Sequence, residues 1–376
     1  MSYDVQALRK AEFPWADQKI YLDHASLGPL PARTLKGIGE FNARRAAPFQ
    51  MVAEDFSAIP GDARAAAARL INADVAEIGL APNTSLGLAL AAQALPFNEG
   101  DKLVVSDKEF PSNVYPWKLL RSKGVSLEII SGRPDGCPDE EALLAALADP
   151  QVKGIALSAV QFATGYRLDL AKFSAETRKR HKYLIVDAIQ AVGVSRVDVK
   201  ATPVDILACG GQKWLMSPWG SGFIYTRKEL TPSLRPTVAS WLSFDASDDL
   251  TKLTSYDETY RDNTRRFELT GHALQDVVGF TISANLLADI GADAIAAHIR
   301  TLHEPIRAAA AKKGIAVVTP ADRCAATISL RPVDLAAAHA KLREGGVFCS
   351  VREGVVRLSP HCYNTLEEME KVASLL

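Results

Sequence analysis

The chain has 376 residues, 48% of them apolar and 23% charged, with a formal net charge of −1. This is ordinary globular composition, and near-neutral charge gives no electrostatic case for binding nucleic acid or a membrane surface. No apolar run approaches the roughly 20 residues of a membrane span. The five cysteines are scattered, without a CxxC or Cys/His cluster, so they imply no metal site and read as reduced thiols of a cytoplasmic protein.

Residues 1–17 read as an amphipathic helical arm, mixed and charged, with no signal-peptide apolar core. IYLDHASLGPLP follows, a short strand at Ile20–Leu22 and then a turn at Gly28-Pro29. Residues 32–72 place apolar positions at helical spacing, and GDARAAAARLINA has strong helix propensity. EIGLAPNTSLGLALAAQAL reads as strand, turn and buried helix. Asn83, Thr84 and Ser85 stand at that helix start, where they cap it; a capped N-terminus with free N–H groups is also an anion site.

Leu103–Ser106 is the next strand candidate, and Glu109–Trp117 is the loop at its carboxyl end, where open parallel sheets bind ligands. Further strands are expected at Leu127–Ile130, Gly154–Ser158 and Tyr183–Val186, with helical patterns such as EEALLAALAD between them. Alternation of strand and helix predicts a mostly parallel sheet covered on both faces.

From Tyr183 to Tyr225, three short apolar runs occur, at Tyr183–Val186, Ile206–Cys209 and Gly222–Tyr225. They read as strands buried on both faces. The first ends in Asp187, which alone serves equally as a helix cap or as a partner for a protonated ring nitrogen. After the second comes Lys213, among Trp214, Leu215 and Met216. Alone it reads as a snorkelling lysine; desolvated, it is an amine able to attack a carbonyl. Together and in this order, the two are what pyridoxal phosphate needs. Residues 228–262 are loop-rich. From about 275 the texture becomes that of a small α+β domain, ending in a capping box at Thr365 and Glu368.

Asp187, Gln190 and Lys213-Trp214 resemble the D-x-x-Q and K-W motifs of the class V aminotransferase family, which includes cysteine desulfurases and isopenicillin N epimerases. The resemblance extends over nearly the whole chain. It implies an α/β fold-type I pyridoxal phosphate-dependent transferase. A large domain (18–265) would hold a mostly parallel seven-stranded sheet between helices, and a small α+β domain (266–376) would carry the N-terminal arm (1–17). It also implies a homodimer with active sites near the interface.

By the same resemblance, Lys213 forms the Schiff base and shuttles protons, and Asp187 keeps the pyridine nitrogen protonated. Gln190 meets the phenolic oxygen. Thr84, Ser85 and Gln212 hold the phosphate, and Thr270, in RRFELTGHALQ, reaches the phosphate of the other subunit. His24 and Ala25 line the substrate site. Arg357 binds the substrate carboxylate, with Arg352 second to it. Phe110 stands where desulfurases carry a ring-stacking histidine; it stacks but moves no proton. Phe162 stands where the family has an asparagine near the phenolic oxygen, and Gln161 and Gln190 are the available substitutes. Gly210, Gly211 and Gln212 replace a Ser-x-His.

The implied activity is lyase- or epimerase-like chemistry at Cα or Cβ of an amino acid, with transamination as an alternative. Persulfide-forming desulfuration is disfavoured: the R-x-G-x-H-x-C loop of the nearer desulfurases is reduced to Arg352-Glu353-Gly354 running into Val355-Val356-Arg357. A Rossmann-type binding protein without the cofactor is disfavoured because no GxGxxG follows an early strand.

Overall fold

The computed structural model describes residues 3–249, 251, 253–269 and 271–376. The chain enters through α1 (Val5–Glu12) and β1 (Ile20–Tyr21), then α2 (Ala32–Ala46) and α3 (Asp55–Ile71). It continues as β2 (Ile78–Leu80), α4 (Thr84–Ala94), β3 (Lys102–Ser106), α5 (Tyr115–Leu119), β4 (Ser126–Ile130), α6 (Glu140–Ala146), β5 (Val152–Ser158) and α7 (Leu170–Lys179). Three strands then follow without an intervening helix: β6 (Tyr183–Asp187), β7 (Ile206–Gly210) and β8 (Gly222–Thr226).

These strands form one seven-stranded sheet in the order β2-β8-β7-β6-β5-β3-β4. Only β8 runs against its neighbours. The apolar runs at its centre are continuous because both faces are covered. Alternate residues feed two separate cores: Leu157, Val186 and Leu207 lie on one face with α3, α6 and α7, whereas Ala156, Ile185 and Ala208 lie on the other with α4 and α5. The fold class implied by the resemblance is therefore the one observed.

After residue 228 the chain runs in short 3₁₀ turns to α8 (Leu274–Ile290), which packs on α2 and α3. Gly291, at a φ of 90°, breaks the long apolar run into α8 and α9 (Ala292–Lys313). No single described helix is long and apolar enough to cross a membrane. The remaining elements are β9 (Ala316–Val317), β10 (Ile328–Arg331), α10 (Leu335–Glu344), β11 (Val347–Phe348), β12 (Ser350–Arg352), β13 (Val355–Leu358) and α11 (Leu366–Leu375). They build an antiparallel sheet, β12-β13-β10-β9, over a third core shared with α9, α10 and α11. β1 pairs parallel with β11, so the N-terminal segment is sewn to this smaller unit. Thr365 and Glu368 form the expected capping box on α11.

A single turn, residues 162–165, joins the two sheets. Its four successive carbonyls all accept from the smaller unit: Phe162 O from Arg357 Nη1 (2.7 Å), Ala163 O from Ser329 Oγ (2.6 Å), Thr164 O from Thr319 Oγ1 and Gly165 O from Ala325 N (3.4 Å). Gly165 sits at a φ of +68°, and a Cβ there would lie 2.1 Å from Thr327 O.

Gly165→Ala should therefore lower the urea-unfolding free energy by about 2–4 kcal/mol, from the left-handed backbone penalty plus displacement of the strand facing it. Gly39→Ala, in α2 with no atom near the added methyl, should raise it by about 0.5–1 kcal/mol.

Candidate active site

β6 and β7 run parallel, with Asp187 opposite Ala208, so Asp187 stands at the carboxyl edge of the sheet. Lys213 follows three residues after β7 ends. The turn at Gly28 is pressed on its backbone: Gly28 N donates to Gln212 O (2.8 Å), and a Cβ on Gly28 would lie 2.0 Å from Lys213 O. The Lys213 side chain is half-buried, packed among protein atoms, and its amine has no hydrogen-bond or ion-pair partner among the described residues; its Nζ lies 5.6 Å from the centre of the Phe110 ring. Burial depresses its pKa to about 8, against the pull of Asp187, with Arg357 adding to the depression. Asp187, 3% exposed, moves the other way. Burial raises its carboxyl to about 6, helped by nearby Glu109 and opposed by the Ile189 N–H and by Lys213. Its Oδ1 accepts from Ile189 N (3.0 Å), and its other oxygen has no hydrogen-bond partner among the described residues.

Gly210, at the end of β7, faces the start of α4. Gly210 N donates to Thr84 Oγ1 (2.8 Å). A Cβ on Gly210 would lie 2.6 Å from Gln212 Oε1 and 3.3 Å from both Thr84 N and Thr84 Oγ1. Asn83 caps α4 through Leu86 N, which leaves the Thr84 and Ser85 N–H groups free. Ser85 Oγ shares a hydrogen bond with Ser112 Oγ (2.7 Å). Here the backbone approaches without a side chain, beside a helix N-terminus of free donors, which suits an anion. Thr84, Ser85 and Gln212 thus come together; Thr270 lies outside the described residues.

Gln190 is already engaged at both ends of its amide, donating to Ala25 O (3.0 Å) and accepting from Trp214 Nε1 (2.6 Å). Its place in the wall is clear, with one N–H left over. Ala25 meets the site through its backbone. His24 is fully buried with both ring nitrogens spent, on Ser359 O (2.7 Å) and Tyr363 Oη (3.0 Å), and burial holds its pKa well below the usual imidazole value. Phe110, 42% exposed, packs edge to face with Phe162 at 5.3 Å.

Arg357 is 2% exposed and held on every side. Besides Phe162 O, it donates to Ser26 Oγ (2.7 Å) and Ser350 Oγ (2.9 Å), and it lies 3.5 Å from Asp23. Burial lowers its pKa to about 10. Arg352, by contrast, is exposed and donates only to Val351 O.

Glu109 is the residue that sequence reasoning left without a role. It is buried, and its carboxylate accepts from Ser158 N (2.9 Å), Ser158 Oγ (2.5 Å), Gln161 Nε2 (2.9 Å) and Asn113 Nδ2 (2.8 Å). Burial nonetheless raises its pKa. Its signal was present: a Glu with an Asn four residues on, in a loop otherwise apolar or small. Asp23, Ser26 and Ser350, which fix Arg357, had no comparable signal.

A desolvated, unpaired lysine beside a buried carboxylate, at the carboxyl edge of a parallel sheet and near a helix N-terminus, defines a pyridoxal phosphate site. The residues fit the group: the glycine-lined cradle at α4 suits its phosphate, and the unpartnered Asp187 oxygen suits its ring nitrogen. Residues 20–372 match the family model "Aminotransferase class-V". The chain belongs to that family, whose members are pyridoxal phosphate enzymes. It is 29% identical over 398 residues to a probable cysteine desulfurase of Pyrococcus abyssi, covering 98% of this chain and 96% of that protein. It is 27% identical to isopenicillin N epimerase of Streptomyces clavuligerus, covering 95% and 94%. Among solved structures, the apo cysteine desulfurase of Thermococcus onnurineus superimposes with a TM-score of 0.87 at 23% identity, covering 100% of this chain and 98% of that one.

Borohydride trapping of pyridoxal phosphate on the cofactor-free protein should label Lys213, with capture rising through a midpoint near pH 8; Asp187→Asn should move that midpoint down, because Asp187 supports the charged amine. The folded amine holds its proton less tightly than the unfolded one. Stability of the cofactor-free protein should therefore rise with pH from about 8 into the ordinary lysine range. Asp187 contributes with the opposite sign, its share being lost as pH rises from the ordinary carboxylate range through about 6.

Proposed function

We propose that this protein is a lyase- or epimerase-like enzyme acting at Cα or Cβ of an amino acid, with Lys213 as its single proton carrier. The observation that carries this reading is the set of groups around Lys213. Its charged neighbours are Asp187, Arg357 and Arg352; Cys209 is sealed in β7, and the ring facing the lysine is the phenyl of Phe110. Bound pyridoxal phosphate supplies the electron sink that makes an acidic Cα. Thr84, Ser85, Gln212 and the first N–H groups of α4 would hold its phosphate, Asp187 its ring nitrogen and Phe110 its ring face.

The remaining work falls to the chain. Lys213, with a pKa of about 8, is part neutral near pH 7–8 and can both take and return a proton at Cα. Arg357, its guanidinium fixed by Ser26, Ser350 and Phe162 O, orients the substrate carboxylate. Phe110 and Phe162 narrow the approach and exclude water. Transamination would use the same lysine and is separated by supplying a keto acid as amino acceptor.

Desulfuration needs a thiolate that reaches the substrate sulfur. Cys349 is buried, and burial pushes its thiol up to about 12; Cys362 is fully buried and raised further. Residues 352–354, where the loop would stand, form the turn between β12 and β13. We infer also that two copies associate. Exposed Phe56 and Trp241 beside Arg64 and Glu268, around a cavity of about 450 Å³, support this, and light scattering tests it.

Lys213→Ala should abolish turnover and the borohydride-trapped label together. Arg357→Ala should raise KM for a carboxylate substrate by about tenfold or more, the loss of a hydrogen bond to a charged group worth ~1.5–3 kcal/mol; equal reactivity of amines lacking a carboxylate would remove this role. Sulfide or persulfide release from L-cysteine with reductant should not depend on Cys349 or Cys362. Robust release that vanishes in Cys349→Ser or Cys362→Ser would overturn the assignment, whereas release surviving both would identify a cysteine C–S lyase.

A further inference from the structure

A second cavity, of about 360 Å³, lies between α7, the segment 195–204 and the loop 320–327 of the smaller unit. None of its lining residues belongs to the Lys213 site. Its floor is apolar, made by Val160, Leu168 and Leu207. Its polar groups divide sharply into paired and unpaired. Arg196 is held by Asp198 (3.1 Å) and Asp293 (3.5 Å), and Arg323 lies near Glu140 (3.6 Å) and Asp169 (3.9 Å). Arg167 and Asp322, also on the wall, have no side-chain partner among the described residues. Both are exposed, and their backbones run side by side, since Arg167 N donates to Arg323 O (2.7 Å).

Ser195 supplies an independent sign. It is only 8% exposed, lines the cavity, and its hydroxyl has no partner among the described residues. That hydroxyl is left to whatever fills the cavity. The first two N–H groups of α7, at Leu170 and Ala171, also line the cavity and find no acceptor, since Asp169 caps the helix through Lys172 N. The cavity therefore offers a cationic seat with added N–H and O–H donors, an anionic seat next to it, and an apolar floor.

We propose that this cavity binds a free α-amino acid with an apolar side chain. The carboxylate sits on Arg167, the start of α7 and Ser195, the ammonium on Asp322, and the side chain on the floor. Asp322 belongs to the loop that clasps residues 165–167, through Ala325 N on Gly165 O and Arg323 O on Arg167 N. An occupant joining Arg167 to Asp322 thus fastens the smaller unit to the turn whose Phe162 carbonyl holds Arg357.

Equilibrium dialysis of the purified protein with radiolabelled L-leucine tests this. Saturable binding is expected that persists in Lys213→Ala and weakens by about tenfold or more in each of Arg167→Met and Asp322→Asn, the usual consequence of losing a hydrogen bond to a charged group. Both variants change exposed side chains, so folding is not at stake. 4-Methylpentanoate and 3-methylbutylamine, each lacking one charge, should bind at least about tenfold more weakly than leucine. The proposal is overturned by no saturable binding up to about 10 mM, by binding that Lys213→Ala abolishes, by binding indifferent to both cavity variants, or by 4-methylpentanoate binding as tightly as leucine.

Discussion

Lys213 is largely desolvated without a hydrogen-bond or ion-pair partner among the described residues, and the rest of the site is intelligible from that one cost. A buried, unpaired ammonium is expensive, and it relieves the cost by shedding its proton. Nearby Asp187 and Glu109 are two carboxylates buried together; each raises the difficulty of charging the other, and Asp187 is accordingly shifted upward. Glu109 is at least saturated with donors, but one oxygen of Asp187 is not. Such a constellation is poorly satisfied on its own. On the roles proposed above it would become well satisfied, with a protonated ring nitrogen against Asp187 and the lysine nitrogen in a covalent link, and the imbalance would then belong to function rather than to the fold.

The second dependence is mechanical. Arg357 comes from the smaller sheet, yet its guanidinium is fixed largely from outside that sheet, by Asp23 and Ser26 after β1 and by Phe162 after β5. The carbonyls of 162–165 are spent one after another on the smaller unit. Backbone acceptors at a domain boundary cannot be left dry and unpaired, so the turn and the smaller sheet specify one another's position. Arg357 is thereby positioned by bonds that also hold the two units together.

Legibility in the sequence followed physical range. The strands β5 to β8 were readable because burial on both faces forces continuous apolar runs, and Asp187 and Lys213 stood out because a charge closing such a run is costly without a purpose. The Gly210 cradle was legible only as a missing side chain, not as the close approach of Thr84 that makes it useful. His24, adjacent to a recognisable turn, turns out to be fully buried with both nitrogens bonded, since Ser359 and Tyr363 are over 330 residues away in sequence. The same distance hid Asp23 as a partner of Arg357, whereas Ser350 lies only seven residues away and faces it through the β12–β13 pairing. Gln190 was visible as a position, but its two bonds to Ala25 and Trp214 depend on tertiary contacts no local pattern encodes. The apolar stretch after residue 275 forms two helices and not one, because Gly291 takes a positive φ that no neighbouring signal demanded.

The departures from the relatives form a coherent set when sorted by what they remove. Phe110 keeps an aromatic face but no proton; the shortened 352–354 turn keeps the strand pairing but no thiol; Gly210 keeps the anion cradle but no hydroxyl. Each would keep a structural or cofactor contact and lacks a side-chain group that the family resemblance implies at that place. On the reading proposed above, Lys213 is the proton carrier, and Phe110, whose ring centre lies 5.6 Å from its amine, carries no proton. Proton traffic would then be confined to the lysine. Epimerisation needs a proton returned to the face opposite its removal, whereas elimination from Cβ needs only the one face and a leaving group. Of the two chemistries proposed, elimination therefore asks nothing of this site that its side chains do not already supply.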